Sequence, residues 1–167
     1  LRNFKTSMIT NWLKSRMGAF GFADSFEDDS KDQANTYDQA LAVIAFTQAY
    51  EMQSAKKVLD ALKAKQNANG GWYANYNPIT GDNTDTTNSE YTGTIAWAIA
   101  AINFYTTASG DTSYINMAKS AAERIWQFFD NDPQSPTYGS LTGGMSGAKA
   151  IDWRSSEHAL DVYSAFK

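Results

Sequence analysis

Three acidic residues, Asp38, Glu90 and Glu157, each stand at the start of a segment with an apolar helical pattern. Two carboxyl groups roughly 5 to 9.5 Å apart can hydrolyse a glycosidic bond, one protonating the leaving oxygen while the other activates water or attacks. The plainer reading of each is a helix N-terminal acid, favoured by the macrodipole by about 0.3–1 kcal/mol. Glu157 has the richest surroundings, the run DWRSSEH, with His158 beside it and Trp153 four residues before. His158 is the only histidine, which excludes a His-based metal site. It can donate to a sugar hydroxyl, tune Glu157 or Asp161, or simply be a packed histidine.

Aromatic residues supply the second part of such a site. Trp72, Tyr73 and Tyr76 follow the turn Asn69-Gly70-Gly71, which would project them from a loop, where flat rings stack on a sugar or a partner. The alternative is that they cover helix ends. Trp153 divides the same way, and Tyr37, next to Asp38, joins the candidate binding residues. Trp97, set mid-helix among alanines, reads as core.

Other chemistries find little support. The stretch GDNTDTTNSE, residues 81–90, is rich in oxygen donors, but its spacing misses the calcium-loop pattern, and a solvated loop is the default. Asp24, Glu27, Asp28 and Asp29 form an acidic patch of the same solvated kind, although Asp24, set between aromatics, could line a groove. The chain has no cysteine, so disulfides and thiolate metal sites are excluded. No phosphate-cradling glycine loop occurs, and neither cofactor nor metal is expected. With 14 basic and 18 acidic residues intermixed and a net charge of −4, no basic stripe exists to hold nucleic acid. The longest apolar run, around Ile95 to Ile102, is too short to span a membrane.

The elements that must position these residues alternate in character. Segments 2–17, 54–66 and 112–129 are amphipathic. Their apolar faces are Phe4, Met8, Ile9, Trp12 and Leu13; then Ala55, Val58, Leu59 and Leu62; then Tyr114, Met117, Ala118, Ala121, Ile125 and Phe129. These three are expected to be half-buried. Segments 36–46, 92–106 and 156–166 are apolar nearly all round and need cover on every side. Thr36 to Gln39 reads as a capping box opening the first of them.

Connections from apolar to amphipathic helix are short, whereas 18–35, 67–91 and 130–155 are long and rich in glycine and aromatics. Three copies of one helix–loop–helix unit, at a period of roughly 50 to 65 residues, stack side by side. The expected fold is all-α, an α/α-hairpin toroid or solenoid forming one domain over residues 1–167. Apolar helices lie inside, amphipathic helices outside, and every long loop emerges on one face, the natural place for function.

The runs TYDQALAVIAF, NGGWYANYN, TGTIAWAIAAINFY, GSLTGG and DWRSSEHALDVYSAF, in that order, resemble secreted bacterial proteins of the six-hairpin glycosidase-like group over about residues 36–166. The resemblance implies an (α/α)6 toroid, a polysaccharide or oligosaccharide as partner, acidic residues in a central cleft, and an extracellular or cell-surface location. Such toroids need six hairpins and this chain supplies about three. The chain is therefore a fragment, or two copies complete the ring, or an open solenoid stacks into a filament. Two functions follow: a polysaccharide-cleaving enzyme, or a non-catalytic binding or self-assembling surface protein on the same scaffold.

Overall fold

The computed structural model describes residues 2–27 and 32–167, with the side chains of 2–6 left out. Asp28, Asp29 and the side chain of Phe4 therefore lie outside the described part. Six helices carry the fold: α1 (Arg2–Ser15), α2 (Thr36–Gln48), α3 (Met52–Lys65), α4 (Thr92–Ser109), α5 (Ile115–Trp126) and α6 (Ser156–Phe166). Between them run five short strands: β1 (Ala34–Asn35), β2 (Asn75–Tyr76), β3 (Ser89–Tyr91), β4 (Gly144–Ser146) and β5 (Lys149–Ile151).

The fold is part of an α/α toroid. Helix α4 packs between α2 and α6, and these three form the inner layer. The outer helix α3 covers α2, and α5 covers α4. Ala55, Val58, Leu59 and Leu62 of α3 are fully buried, as are Ala121 and Ile125 of α5, so the apolar stripes of these helices drive the packing. The inner-to-outer turns are tight. Gly110 ends α4 at φ 75°, where a side chain would be strained, and its N–H bonds the Thr106 carbonyl.

The long loops meet on one face and pair through backbone hydrogen bonds. Strand β1 pairs antiparallel with β2, with Ala34 opposite Tyr76, and β4 lies between β3 and β5, with Glu90 opposite Met145. A second device repeats at the first residue of α2 and of α4. Thr36 donates its N–H to the Ala74 carbonyl at 2.9 Å and its hydroxyl to that of Tyr73 at 2.6 Å. Thr92 donates the same two groups to Gly143 at 3.0 Å and Thr142 at 2.8 Å. The inner helices α2 and α4 are thus each fastened to the loop of the following unit.

This overturns the capping box. Asn35 is the N-cap of α2 and no side chain caps it. The Thr36 hydroxyl has taken a tertiary acceptor, and Gln39, fully buried, holds the backbone N–H and carbonyl of Ala23 instead. Two expected burials also fail. Met8, Ile9 and Trp12 of α1 are exposed, and so are Leu160, Tyr163 and Phe166 of α6. The physical reason is the same at both edges. Helix α1 is an outer helix at one edge of the described residues and α6 an inner helix at the other, so among them each is packed on one side only.

Candidate active site on the loop face

The side chains at the N-terminal ends of α4 and α6 form one connected group. Gly93, in the first turn of α4, admits the His158 ring, for a β-carbon there would lie 2.5 Å from its Cδ2. The Trp153 ring meets His158 edge-on at 5.1 Å between centroids and lies over Gly143, where a β-carbon would be 2.7 Å from the indole. The α6 N-cap is Ser155, whose hydroxyl accepts from the His158 N–H, so the cap fixes the start of the helix that carries Glu157, His158 and Asp161. One turn further in, the Trp97 indole lies near enough to the Asp161 carboxyl to favour its ionised form, and Tyr37 of α2 meets Trp97 edge-on at 5.7 Å. Trp97 is partly exposed to this face rather than fully in the core.

Electrostatics divide the titratable groups. Burial pushes the Asp161 carboxyl upward and the nearby charge of Glu157 adds to the shift, opposed by His158 and Trp97. Burial pushes His158 below its ordinary value, against the charges of Asp161 and Glu157. His158 is therefore a neutral imidazole at neutral pH, and its buried Nδ1 has no hydrogen-bond partner among the described residues. Glu157 is exposed, four residues from Asp161 and so on the same helix face. The group offers aromatic walls, a carboxyl biased toward holding a proton, a second carboxylate in water and a neutral imidazole.

The other candidates go elsewhere. Glu90 is a structural anchor. Its carboxylate is buried, takes the Arg124 Nε–H at 2.7 Å, and accepts from the side-chain amides of Asn67 at 2.7 Å and Asn69 at 3.0 Å. Gly71 lies against it, where a β-carbon would come within 2.7 Å of Oε2. Trp72 and Tyr76 do not project from their loop. Trp72 is fully buried and donates its indole N–H to the Leu62 carbonyl at 2.7 Å, closing the end of α3. Tyr76 stacks on Phe22 and accepts the Tyr73 N–H on its hydroxyl. The glycine turn folds both rings inward because the helix ends beneath are apolar. Asp38 accepts from Asn35 and lines a groove of about 280 Å³ between α1 and α2, on the far side of α4 from α6. In residues 81–90, Asp85 is satisfied by the N–H groups of Thr87 and Ser89 and the Thr87 hydroxyl, and no cluster that could hold a metal occurs among the described residues.

Asp161, Gly93 and Gly143 carry weight that the sequence reading did not assign them. A glycine in the first turn of an otherwise apolar helix was the available signal, since it costs helix stability without marking an end.

No family model and no curated protein matches the sequence. Solved structures do match its fold. A sugar epimerase from a ruminal bacterium superposes with a TM-score of 0.64 at 13% identity, over 95% of this chain and 45% of that one. The endo-β-1,4-glucanase CMCax from Acetobacter xylinum gives 0.61 at 10% identity, over 83% and 43%. The unsaturated glucuronyl hydrolase from Bacillus sp. GL1 gives 0.56 at 15%, over 94% and 52%. These are six-hairpin toroids, and at such identities the likeness establishes the fold: this chain spans about half of the ring. No described helix is long and apolar enough to cross a membrane.

Proposed function

We propose that the chain is carbohydrate-active, binding a polysaccharide or oligosaccharide across the loop face and hydrolysing it with carboxyl groups of α6. The observation that supports this best is the single cluster of Tyr37, Trp97 and Trp153 around Glu157, His158 and Asp161 at the inner-helix N-termini. Asp161, held toward its protonated form, donates to the leaving glycosidic oxygen. Glu157, exposed beside it, activates water or stabilises the positive charge that develops at the sugar. Trp153 and Tyr37 supply flat faces for the sugar rings. Neutral His158 orients a hydroxyl, its ring placed by Gly93. The toroid likeness to glycan-acting enzymes agrees with this reading, and an extracellular or cell-surface location in a bacterium would bring the site to its polymer.

The test is release of reducing ends from soluble β-1,4-glucan, xylan and uronate-ended oligosaccharides. Loss of one acid or base is worth about 10²–10⁴-fold in rate, so Glu157→Gln and Asp161→Asn each drop activity by that range with an unchanged circular dichroism spectrum. Activity that survives both substitutions sinks the assignment.

A further inference from the structure

We propose that the sugar unit held against Trp153 is uncharged, and that this part of the loop face excludes uronates and other anionic glycans. This selectivity rests on the carbohydrate reading above. It belongs to the sugar unit on Trp153 alone, whatever residues line the rest of the cleft.

Proteins capture a carboxylate mainly with an Arg or Lys side chain, or with the free N–H groups of a helix N-terminus. Both devices occur near Trp153, and both are already occupied. Arg154, the next residue, has all three guanidinium nitrogens engaged. Its Nε donates to the Ser140 hydroxyl at 2.6 Å, its Nη1 to the Asp152 carbonyl at 3.1 Å, and its Nη2 faces the Asp130 carboxylate at 3.6 Å. That carboxylate is itself fixed by the hydroxyls of Ser135 at 2.5 Å and Thr137 at 2.6 Å, so the pair is built into the loop. Arg124 is taken by Glu90 and Gln127. Lys149 sits beside the turn of the β4–β5 hairpin, at the other end of β5 from Trp153.

The helix termini are closed in the same way. Thr36 and Thr92, the first residues of α2 and α4, aim their N–H groups at the Ala74 and Gly143 carbonyls. At α6 the Ser155 hydroxyl takes the His158 N–H. These N–H groups are therefore spent on the protein and do not cradle an anion.

What stays open is acidic or uncharged. Asp152 and Glu157 lie on either side of Trp153 in sequence and are exposed. Among the described residues neither forms an ion pair. The charge of Glu157 already opposes ionisation of Asp161 one turn along α6, and a carboxylate on a bound sugar would meet the same field. The other surfaces are the Trp153 ring, the His158 imidazole edge-on to it and the bare Gly143. A neutral pyranose suits all of them. Its apolar face stacks on the indole, and its hydroxyls donate to the acidic side chains, which a carboxylate cannot do.

Calorimetric titration with a β-1,4-glucose hexamer and with its C6-oxidised, carboxylate-bearing counterpart tests the selectivity. In about 0.01 M salt the oxidised hexamer should bind at least about tenfold more weakly. In about 1 M salt the gap should close to within about threefold, because the screening length falls from about 30 Å to about 3 Å. Asp152→Asn combined with Glu157→Gln, both at exposed sites, should narrow the low-salt gap severalfold. Equal or tighter binding of the oxidised hexamer, or a gap that the double variant leaves unchanged, would overturn the proposal. Fluorescence quenching reads the same field without any sugar, taking Trp153 as the difference between wild type and Trp153→Phe. Scaled to free tryptophan amide, caesium should quench Trp153 more than iodide does, and the reverse order would overturn the proposal as well. Repelled iodide together with no binding of either hexamer, or of the glycans in the activity assay, would sink the carbohydrate reading and leave the exclusion of anions standing.

Discussion

Replacing Glu90 with alanine separates a structural acid from a catalytic one. Its side chain is 4% exposed and its partner Arg124 13%, and the carboxylate also serves two asparagine amides. Removing it strands a nearly buried guanidinium and the donors that fix the turn before Trp72. Breaking a buried pair from one side costs about 3–5 kcal/mol. For a domain of this size each kcal/mol moves the melting temperature by about 2–4 °C, so a fall of about 6–20 °C is expected. Glu157→Gln, at an exposed site, should stay within about 0.5 kcal/mol of wild type. The assay is thermal and urea unfolding followed by circular dichroism, at one fixed protein concentration because any association shifts the midpoint. A Glu90→Ala protein that melts with the wild type while losing hydrolysis would refute the reasoning and return Glu90 to the active site.

Trp72→Ala should be destabilised by about 3–5 kcal/mol, because a fully buried indole and its bond to the Leu62 carbonyl are both lost; a loss below about 1 kcal/mol in urea unfolding would mean the ring is a surface stacking platform after all. His158 should titrate below its ordinary 6.5, read by NMR of its ring protons. With the folded value depressed, the unfolded chain binds more protons as pH falls through that window. This stabilisation is complete above 6.5 and is lost on acidification through the folded value, and His158→Gln should flatten the slope. A titration at or above 6.5 would contradict the buried placement against Gly93.

The alternation of amphipathic and apolar helices was legible because the outer stripes of α3 and α5, such as Ala55, Val58, Leu59 and Leu62, meet a packed inner neighbour. The common loop face followed from connection lengths alone. Where reading failed, a tertiary partner had outbid a local preference. Thr36 has a capping residue's chemistry, but a carbonyl of the next loop lies within reach of its hydroxyl. The glycines before Trp72 signal a turn without saying whether it opens toward water or toward the end of α3. Burial of α1 and α6 was overestimated because an apolar stripe states a need for cover, and among the described residues nothing covers these two edges. Glu157, His158 and Trp153 were recognisable as a dense run of chemically able side chains, and the structure places His158 against Trp153. Asp161 and Gly93 gained their meaning only when α6 was laid against α4.

The most direct measurement is a crystal structure of the Glu157→Gln protein soaked with an oligosaccharide that the wild type cleaves. The predicted result is a sugar chain against the Trp153 and Tyr37 rings, with a glycosidic oxygen within hydrogen-bond reach of the Asp161 carboxyl. A chain bound elsewhere, or one whose scissile oxygen is served by Asp38 or Glu90, would contradict the assignment of the loop-face cluster on α6 as the site of chemistry.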